Sequence, residues 1–304
     1  MQHRIEYALF LGFRSVILLL PLAGVRRVGS FLGAVAYRLL GRRRTIAVDN
    51  LTRAFPDKSH DEILHIAKGS FRNYGIAILE LLWFPRFDDS SIARAVRMRN
   101  PEIIAANTTP GKGLIMLSGH FGNWELIAFA VARLTRVPFT IIVQEQSNRL
   151  IDGVINRHRC LMGNRVVPMG MSIREILRTL HDGGVIAIAP DQSGPQEGPF
   201  VEFFGQMVAT HQGPAAFSLR SGAPMLYGFI YRQKDGNYDV VLEKVESSDL
   251  PPDDPEAIVE LTRRHTLLLE RHIREYPDHW LWMHRRWKHT PESVQRAVVA
   301  EAAR

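Results

Sequence analysis

The sequence predicts an α/β fold, specifically an αβα sandwich with a largely parallel central sheet. After Gly111, short apolar segments of strand character alternate with segments of helical spacing, and this alternation is typical of such a sheet packed between helices. The chain has 304 residues, 46% of them hydrophobic, so it can bury a sizeable core. It contains no internal repeat and no low-complexity linker, which favours one main domain.

The order of the elements follows from the spacing of apolar residues and from breaks at Pro, Gly and Asp. Residues 45–101 are predicted to be helical, with breaks at Pro85 and at residues 88–91. Strands are predicted near residues 113–118, 139–144, 185–189, 225–231 and 238–242. Helices are predicted near residues 124–134, 148–162, 172–180, 213–221 and 255–276, and the tail after Thr290 is predicted to be a solvated helix.

The N-terminal residues 1–44 are predicted to anchor the protein to a membrane, and residues 45–304 to form the α/β domain. Residues 5–25 are mostly apolar, but Glu6 and Arg14 interrupt them, which is borderline for a spanning helix of about 20 apolar residues. A second amphipathic stretch, 28–40, ends in a Gly-Arg-Arg-Arg run whose cations suit lipid headgroups on a cytoplasmic leaflet. The alternative is two ordinary core helices of a soluble protein.

The charge of the chain and its cysteine content limit which partners and which metal or disulfide sites are expected. The formal net charge is +7, which suits an anionic phospholipid surface, a phosphorylated substrate or an acidic carrier protein. A nucleic-acid partner is not expected, since the interleaved aromatics of a single-strand binder are missing. Cys160 is the single cysteine, so a disulfide framework and a cysteine zinc site are excluded. The histidines form no compact set, and no metal is expected.

The most informative motif is Gly-His-Phe-Gly-Asn-Trp-Glu at residues 119–125, between a predicted strand and a predicted helix. Two residues five positions apart inside one helix would point about 140° apart, so we place His120 in the turn itself. There Glu125, in the first helical turn, is expected to hydrogen-bond the ring and make His120 a general base. The competing interpretation is a buried histidine with one backbone hydrogen bond.

A polar loop at residues 190–195 follows a second predicted strand. Ligands of open α/β sheets bind at the carboxyl ends of the strands, so the loop could hold substrate oxygens, although an ordinary turn explains it equally. Backbone N–H groups near Gly122 and Asn123, or a nearby arginine, are candidate donors to an oxyanion. Ser118 lacks the flanking glycines of a hydrolase nucleophile.

These residues, in this order, resemble the late acyltransferases of lipid A biosynthesis. The resemblance rests on residues 119–125, the Pro-Asp-Gln run at 190–192, residues 200–205, residues 222–224, and the ending Trp-Leu-Trp-Met-His-Arg-Arg-Trp-Lys at 280–288. It covers nearly the whole chain, including Asn50-Leu51 and Ala54-Phe55-Pro56 near the front.

The resemblance implies a glycerolipid acyltransferase-like fold and transfer of an acyl chain from acyl carrier protein, or from CoA, to a hydroxyl of a phosphorylated glycolipid, with a lipid A precursor as the expected acceptor. It implies the cytoplasmic face of the bacterial inner membrane as location, membrane lipids as partners, and no bound cofactor. Three other outcomes stay open: an acceptor such as phosphatidylinositol mannoside or another lysophospholipid, a thioesterase or esterase that uses water, and a basic module that binds membranes or nucleic acid without catalysis.

By position, the resemblance implies that His120 is the catalytic base and Glu125 its acidic partner. Asn123, Arg159, Asp191 and Gln192 are then expected to bind substrate. Arg285, Arg286 and Lys288 are expected to bind lipid headgroups, with the indoles of residues 282 and 287 at the membrane interface, or to have a structural role at the edge of the sheet.

Overall fold

The computed structural model describes residues 1–108, 111–170 and 173–295. The main sheet has seven strands in the order β1-β9-β8-β2-β5-β3-β4, and β6 and β7 form a separate hairpin. The strands are Val96–Met98 (β1), Leu114–Leu117 (β2), Phe139–Val143 (β3), Arg165–Pro168 (β4), Val185–Ile188 (β5), Phe200–Phe203 (β6), Gln206–Ala209 (β7), Met225–Arg232 (β8) and Tyr238–Val245 (β9).

The helices are Gln2–Leu19 (α1), Leu22–Leu39 (α2), Gly41–Ala54 (α3), His60–Trp83 (α4), Asp89–Ala95 (α5), Glu102–Asn107 (α6), Trp124–Thr135 (α7), Arg149–Arg159 (α8), Ile173–His181 (α9), Gly213–Ser221 (α10) and Pro255–Glu275 (α11). In the tail, residues 291–295 are helical, and the rest of that predicted helix lies outside the described residues, as does residue 172 at the start of another.

The prediction of a mixed α/β fold with a largely parallel sheet is confirmed, since antiparallel pairing within the seven strands occurs between β8 and β9. Four strands, β1, β4, β6 and β7, and the short helix α6 were missed. β1 interrupts the region predicted as helical, and β4 carries a proline and an arginine at its ends. β2 and β5 are equally short but are continuous apolar runs, whereas each missed strand contains a polar residue that interrupts or bounds its apolar residues.

The two faces of the sheet are covered by different helices. The connections that contain α7 (β2 to β3) and α8 (β3 to β4) run along the sheet toward β4. Those that contain α9 (β4 to β5) and α10 (β7 to β8) run in the opposite direction. Because such crossovers are right-handed, α7 and α8 lie on one face and α9 and α10 on the other. Two separate apolar clusters, one on each face, form the core.

α1 and the first half of α2 pack against the α7 face, whereas the buried residues of α3 belong to the apolar cluster on the other face. α2 crosses α4 so closely that a Cβ on Gly33 would lie 2.2 Å from the carbonyl oxygen of Phe71, a contact that only glycine permits. Arg26 of α2 pairs at 2.5 Å with Glu80, which is 0% exposed. Among the residues described, we find no helix with both the length and the apolarity needed to cross a bilayer.

Candidate active site

The two strand ends that carry the candidate residues lie side by side. β2 and β5 are parallel neighbours, and their last residues, Leu117 and Ile188, are in register. His120 and Asp191 each follow these residues by the same number of positions. The register of the sheet therefore brings the imidazole and the carboxylate together at the carboxyl edge, as the rule for open α/β sheets predicts.

Asp191 holds both the ring and the backbone of His120. Its Oδ1 lies 2.8 Å from His120 Nδ1, and its Oδ2 accepts from the His120 backbone N–H at 2.8 Å and from Trp280 Nε1 at 2.9 Å. Asp191 is buried, and an ionised carboxylate only accepts hydrogen bonds. Nδ1 of His120 therefore carries a proton, which leaves the lone pair of the neutral ring on Nε2.

The turn that carries His120 is fixed between β8 and the C-terminal segment. Gly122 has a φ of +59°, and a Cβ there would lie 1.9 Å from the carbonyl oxygen of Ile230, so the turn requires glycine. Gly122 N–H donates to His279 O at 2.8 Å, and Leu281 N–H donates to His120 O at 2.9 Å. Gly122 N–H is thus already bonded, and the prediction that it serves an oxyanion is wrong.

The predicted hydrogen bond from Glu125 to His120 is also wrong, because Glu125 binds Arg159 instead. Its two carboxylate oxygens accept from Arg159 Nε at 2.8 Å and Nη2 at 2.5 Å, a bidentate pair. The two side chains are 10% and 13% exposed. The orienting carboxylate is Asp191, which sequence spacing could not identify because it lies 71 residues away, beyond the end of another strand.

Asn123 does not reach the cleft with its side chain. It is 1% exposed, its Oδ1 accepts from Leu126 N–H at 3.0 Å as the N-cap of α7, and its Nδ2 donates to Glu80 Oε2 at 2.5 Å. Tyr238 OH donates to the same Glu80 oxygen at 2.7 Å. The side chain is therefore a cap and a link to a buried carboxylate, and the prediction that it binds substrate is wrong.

A cavity of about 690 Å³ opens beside His120, a size within the usual range of small-molecule sites. Its polar lining includes His120, Glu125, Arg159 and Gln192, and most of its lining residues are apolar. Gln192 Nε2 lies 3.4 Å from His120 Nε2. The structure thus brings three of the predicted side chains, with Glu125, to one cavity, and places Asp191 behind the ring.

Burial and the Asp191 carboxylate act in opposite directions on His120. Burial lowers the pKa of His120, but Asp191, aided by Glu125, outweighs it, so the pKa of His120 lies above its ordinary value of 6.5. Burial raises the pKa of Asp191, but the bonds from His120 and Trp280 outweigh that effect, so the pKa of Asp191 lies below 3.8. The pair is therefore an ionised carboxylate beside an imidazole that accepts a proton readily.

The C-terminal segment has buried and exposed parts. Arg286 is 1% exposed and donates to two oxygens at the end of β7, while Trp282 and Trp287 are buried. The predicted placement of these indoles at a membrane interface, and of Arg286 on headgroups, is therefore wrong. Arg285 and Lys288 are exposed.

These two exposed cations line a second, shallower groove of about 470 Å³ between α3 and the C-terminal segment. Arg42 and Arg53 line it from α3, and Asp49 is the acidic side chain among its lining residues. The groove thus presents a cationic surface, which we refer to as the cationic groove. Three residues of the C-terminal ending contact the site: Trp280 bonds to Asp191, the Leu281 N–H bonds to His120, and His284 lines the cavity.

Comparisons with known proteins identify relatives of this chain. The family model for bacterial lipid A biosynthesis acyltransferases matches residues 1–289. The chain is 29% identical over 290 residues to a lipid A biosynthesis lauroyltransferase of Escherichia coli K12, covering 93% of this chain and 92% of that protein. It is 28% identical over 268 residues to a lipid A biosynthesis palmitoleoyltransferase of the same strain, covering 87% and 85%.

A more distant similarity reaches a different acceptor class. The chain is 21% identical over 242 residues to a phosphatidylinositol mannoside acyltransferase of Mycolicibacterium smegmatis, covering 78% of this chain and 77% of that protein. The match of the family model across almost the whole chain, together with the relatives named acyltransferases, decides the assignment. This chain is an acyltransferase that belongs to the bacterial lipid A biosynthesis acyltransferase family.

Proposed function

We propose that this enzyme transfers an acyl chain from the thioester of acyl carrier protein to a hydroxyl of a lipid A precursor, with His120 as general base. The observation that carries the proposal is His120 itself: Asp191 holds Nδ1 at 2.8 Å, and the ring lines an apolar cavity. The names of the relatives support a lipid A precursor as the acceptor.

The proposed step needs no enzyme nucleophile. The acceptor oxygen attacks the thioester carbonyl while His120 Nε2 takes its proton, and a tetrahedral intermediate forms. When this intermediate collapses, the carbon–sulfur bond breaks, and the thiolate takes the proton back from His120. Asp191 stays ionised throughout and stabilises the imidazolium.

Arg159 is the proposed electrostatic partner of the oxyanion. Its guanidinium lines the cavity and is fixed by Glu125 and by Asn156, which accepts from Nη1 at 2.9 Å. A guanidinium in this position retains further N–H groups that can meet developing charge. Glu125 then acts through Arg159 as a positioning residue, and the Gln192 amide helps to orient the acceptor hydroxyl near His120.

The proposed location is the cytoplasmic face of the bacterial inner membrane, with α1 lying in the interface. Exposed apolar side chains form one stripe along α1: Ile5, Leu9, Phe13, Val16 and Leu19. The two charges that interrupt this stretch face the protein body instead, since Glu6 accepts from Asn148 at 2.9 Å and Arg14 donates to His158 at 3.2 Å. An apolar stripe on a helix that lies flat against the body is typical of interfacial binding.

The cationic groove is the proposed docking site for the acidic carrier protein. Replacing Arg285 and Lys288 with glutamate should raise the KM for acyl carrier protein thioester, and this effect should weaken as salt is added. The control is a short acyl-pantetheine donor, whose KM should not change. An equal rise in KM for both donors would contradict docking of the carrier protein on the cationic groove.

The proposed function is tested with the purified full chain in lipid vesicles, an acyl carrier protein thioester and a lipid A precursor. Mass spectrometry should find a product heavier by one acyl chain with the wild type, and its rate should fall sharply in His120→Ala. A lysophospholipid offered as a competing acceptor should react more slowly. Donor hydrolysis at the same rate with and without acceptor would instead identify a thioesterase.

A further inference from the structure

Two buried polar side chains near Asp191, Tyr227 and Arg286, have no role in the proposed mechanism. Tyr227 is 0% exposed and Arg286 is 1% exposed. Among the described residues, neither the Tyr227 hydroxyl nor Arg286 Nε has a hydrogen-bond partner, although both atoms are shielded from solvent. A buried polar atom without a partner is unfavourable, so these two atoms call for an explanation.

Arg286 is a buried cation whose hydrogen bonds go to neutral groups. Its Nη1 donates to Ala209 O at 2.8 Å and its Nη2 donates to Thr210 Oγ1 at 2.7 Å. Within the described part of the chain, the bonds of its three nitrogens thus include no carboxylate. Burial lowers the pKa of Arg286 only to about 10, so the guanidinium is charged at neutral pH. An isolated buried charge is strongly unfavourable, and this one needs a counter-charge nearby.

The Asp191 carboxylate has the opposite deficit. The three N–H groups that donate to it belong to His120 and Trp280, and His120 must be neutral before it can act as a base. In the resting enzyme, Asp191 is therefore a buried anion held by three neutral donors. A cation in the same part of the core would offset its charge.

The loop that carries Asp191 packs against the backbone that Arg286 binds. Gly194 N–H donates at 3.0 Å to Ala209 O, the same carbonyl oxygen that accepts from Arg286. A Cβ on Gly194 would lie 2.5 Å from the backbone of Thr210, an approach that only glycine permits. The two buried charges thus lie on neighbouring segments, and the Asp191 charge opposes the effect of burial on the pKa of Arg286.

The Tyr227 hydroxyl lies beside the same carboxylate. Measured from the position that a Cβ on Gly119 would take, the hydroxyl oxygen is 3.2 Å away and Asp191 Oδ2 is 3.4 Å away. Burial and the Asp191 charge raise the pKa of this hydroxyl well above 10, so it keeps its proton. A phenolic hydroxyl both donates and accepts, and one water molecule can link two buried oxygens that are too far apart to bond directly.

We infer that Arg286 is the buried counter-charge of Asp191, and that the Tyr227 hydroxyl donates to the Asp191 carboxylate through a bridging water molecule. Neither residue belongs to the described lining of the cavity beside His120, so both act through Asp191 as positioning residues. The inference rests on the proposed function, because it requires that His120 be a base that is neutral before the reaction.

The consequence for catalysis is a limit on the basicity of His120. Asp191 favours the imidazolium, whereas a cation beside Asp191 disfavours it, so the ring loses its proton more easily at neutral pH than it would beside Asp191 alone. The other ionisable groups that act on this cluster are Glu125, Arg159, His211, His265 and His284.

These other groups do not replace Arg286 as the counter-charge. Burial lowers the pKa of His211, His265 and His284 below 6.5, so they add little positive charge at neutral pH. Arg159 is a cation, but it is paired with the Glu125 carboxylate.

Arg286→Met removes the charge and keeps an apolar stem, and its readout is an NMR titration of labelled histidine in the full chain. The pKa of His120 should rise above its wild-type value by about half a pH unit or more, the opposite of the change expected in Asp191→Asn. The acid limb of kcat/KM should move to higher pH by the same amount, so that activity lost at pH 7 returns at higher pH. An unchanged or lower pKa of His120 in folded Arg286→Met would overturn the inference.

The charge-conserving variant is Arg286→Lys, which should hold the pKa of His120 near its wild-type value because the cation remains. A purely structural role of Arg286 would instead lower kcat at every pH alike in both variants. A rise in the pKa of His120 in Arg286→Lys as large as that in Arg286→Met would contradict the counter-charge. Thermal melting shows whether Arg286→Met folds, and if it does not, Tyr227→Phe decides.

Tyr227→Phe removes one oxygen and leaves the ring in place. If the hydroxyl has no partner, its loss should leave stability unchanged or raise it. If it donates to Asp191, the denaturant midpoint should fall, and the pKa of His120 should rise because the carboxylate loses a donor. The matched control is Tyr238→Phe, a buried tyrosine of β9 whose hydroxyl donates to Glu80 at 2.7 Å; it should lower the midpoint without moving the pKa of His120.

A Tyr227→Phe variant that is more stable than the wild type, with an unchanged pKa of His120, would overturn the inference. The titration needs no substrate, so it separates this inference from the proposed function. Absence of any acylated product with the wild type would end the proposed function, while the pKa values would still report whether Arg286 and Tyr227 act on the pair. Equal pKa values of His120 in the wild type and both variants would end the inference and leave the proposed function intact.

Discussion

The two carboxylates closest to the candidate chemistry, Asp191 and Glu125, occupy different surroundings and do different things. Asp191 follows β5, is 4% exposed, and bonds the ring and backbone of His120 together with the Trp280 indole. Glu125 lies in the first turn of α7 and binds the Arg159 guanidinium. The carboxylate nearest to His120 in sequence is therefore not its partner, whereas the carboxylate that the strand register aligns with it is.

The largest expected effect comes from removing the imidazole of His120. His120→Ala should lower kcat/KM by about 10²- to 10⁴-fold, the usual contribution of general base catalysis. The measurement is steady-state transfer with purified protein, and His181→Ala is the matched control, since His181 is an exposed residue on α9. Near wild-type transfer by His120→Ala would remove the proposed base.

Asp191→Asn should have the next largest effect, about 10²-fold or more in kcat, because the ring loses both its tautomer and the charge that stabilises the imidazolium. The pH profile should change as well. The raised pKa of His120 means that wild-type activity falls as the pH falls through a value above 6.5. Without the Asp191 charge, burial lowers the pKa of His120, so this acid limb should move to lower pH. An unchanged acid limb would show that Asp191 does not set the basicity of the ring.

Glu125→Gln should have a smaller effect on kcat, about tenfold, because it weakens the fixing of Arg159 and leaves the His120–Asp191 pair intact. Arg159→Lys should resemble it, since a lysine cannot form the bidentate pair. Steady-state kinetics of the two single variants and the double variant provide the check. If the loss of kcat in the double variant equals the product of the two single losses, Glu125 does not act through Arg159.

Asn123→Ala should change stability more than activity. It removes the N-cap of α7, which costs about 0.5–2 kcal/mol, and one donor to the buried Glu80 carboxylate, which adds to the loss. Denaturant unfolding should therefore show a lower free energy of unfolding, with little change in the KM for acceptor. A rise in that KM at unchanged stability would restore Asn123 as a substrate contact.

The sequence predicts the α/β core well because its helices show helical apolar spacing, as at residues 124–134, and its central strands are continuous apolar runs, as at residues 225–231. It predicts the site in part. Gly122 and His120 were found through a local motif at a strand end, whereas the bond from Asp191 and the contact of Trp280 depend on how distant strands align. The prediction for Asn123 was wrong because an amide side chain that caps a helix uses the same atoms as one that binds substrate. Only the burial of the side chain distinguishes the two roles.

Asp191 raises the basicity of His120 more than Glu125 does. The most direct test is an NMR titration of isotope-labelled histidine in the wild type, Asp191→Asn and Glu125→Gln. We expect the pKa of His120 to lie above 6.5 in the wild type, to fall well below that value in Asp191→Asn, and to change only slightly in Glu125→Gln. A larger fall in Glu125→Gln than in Asp191→Asn would contradict the account.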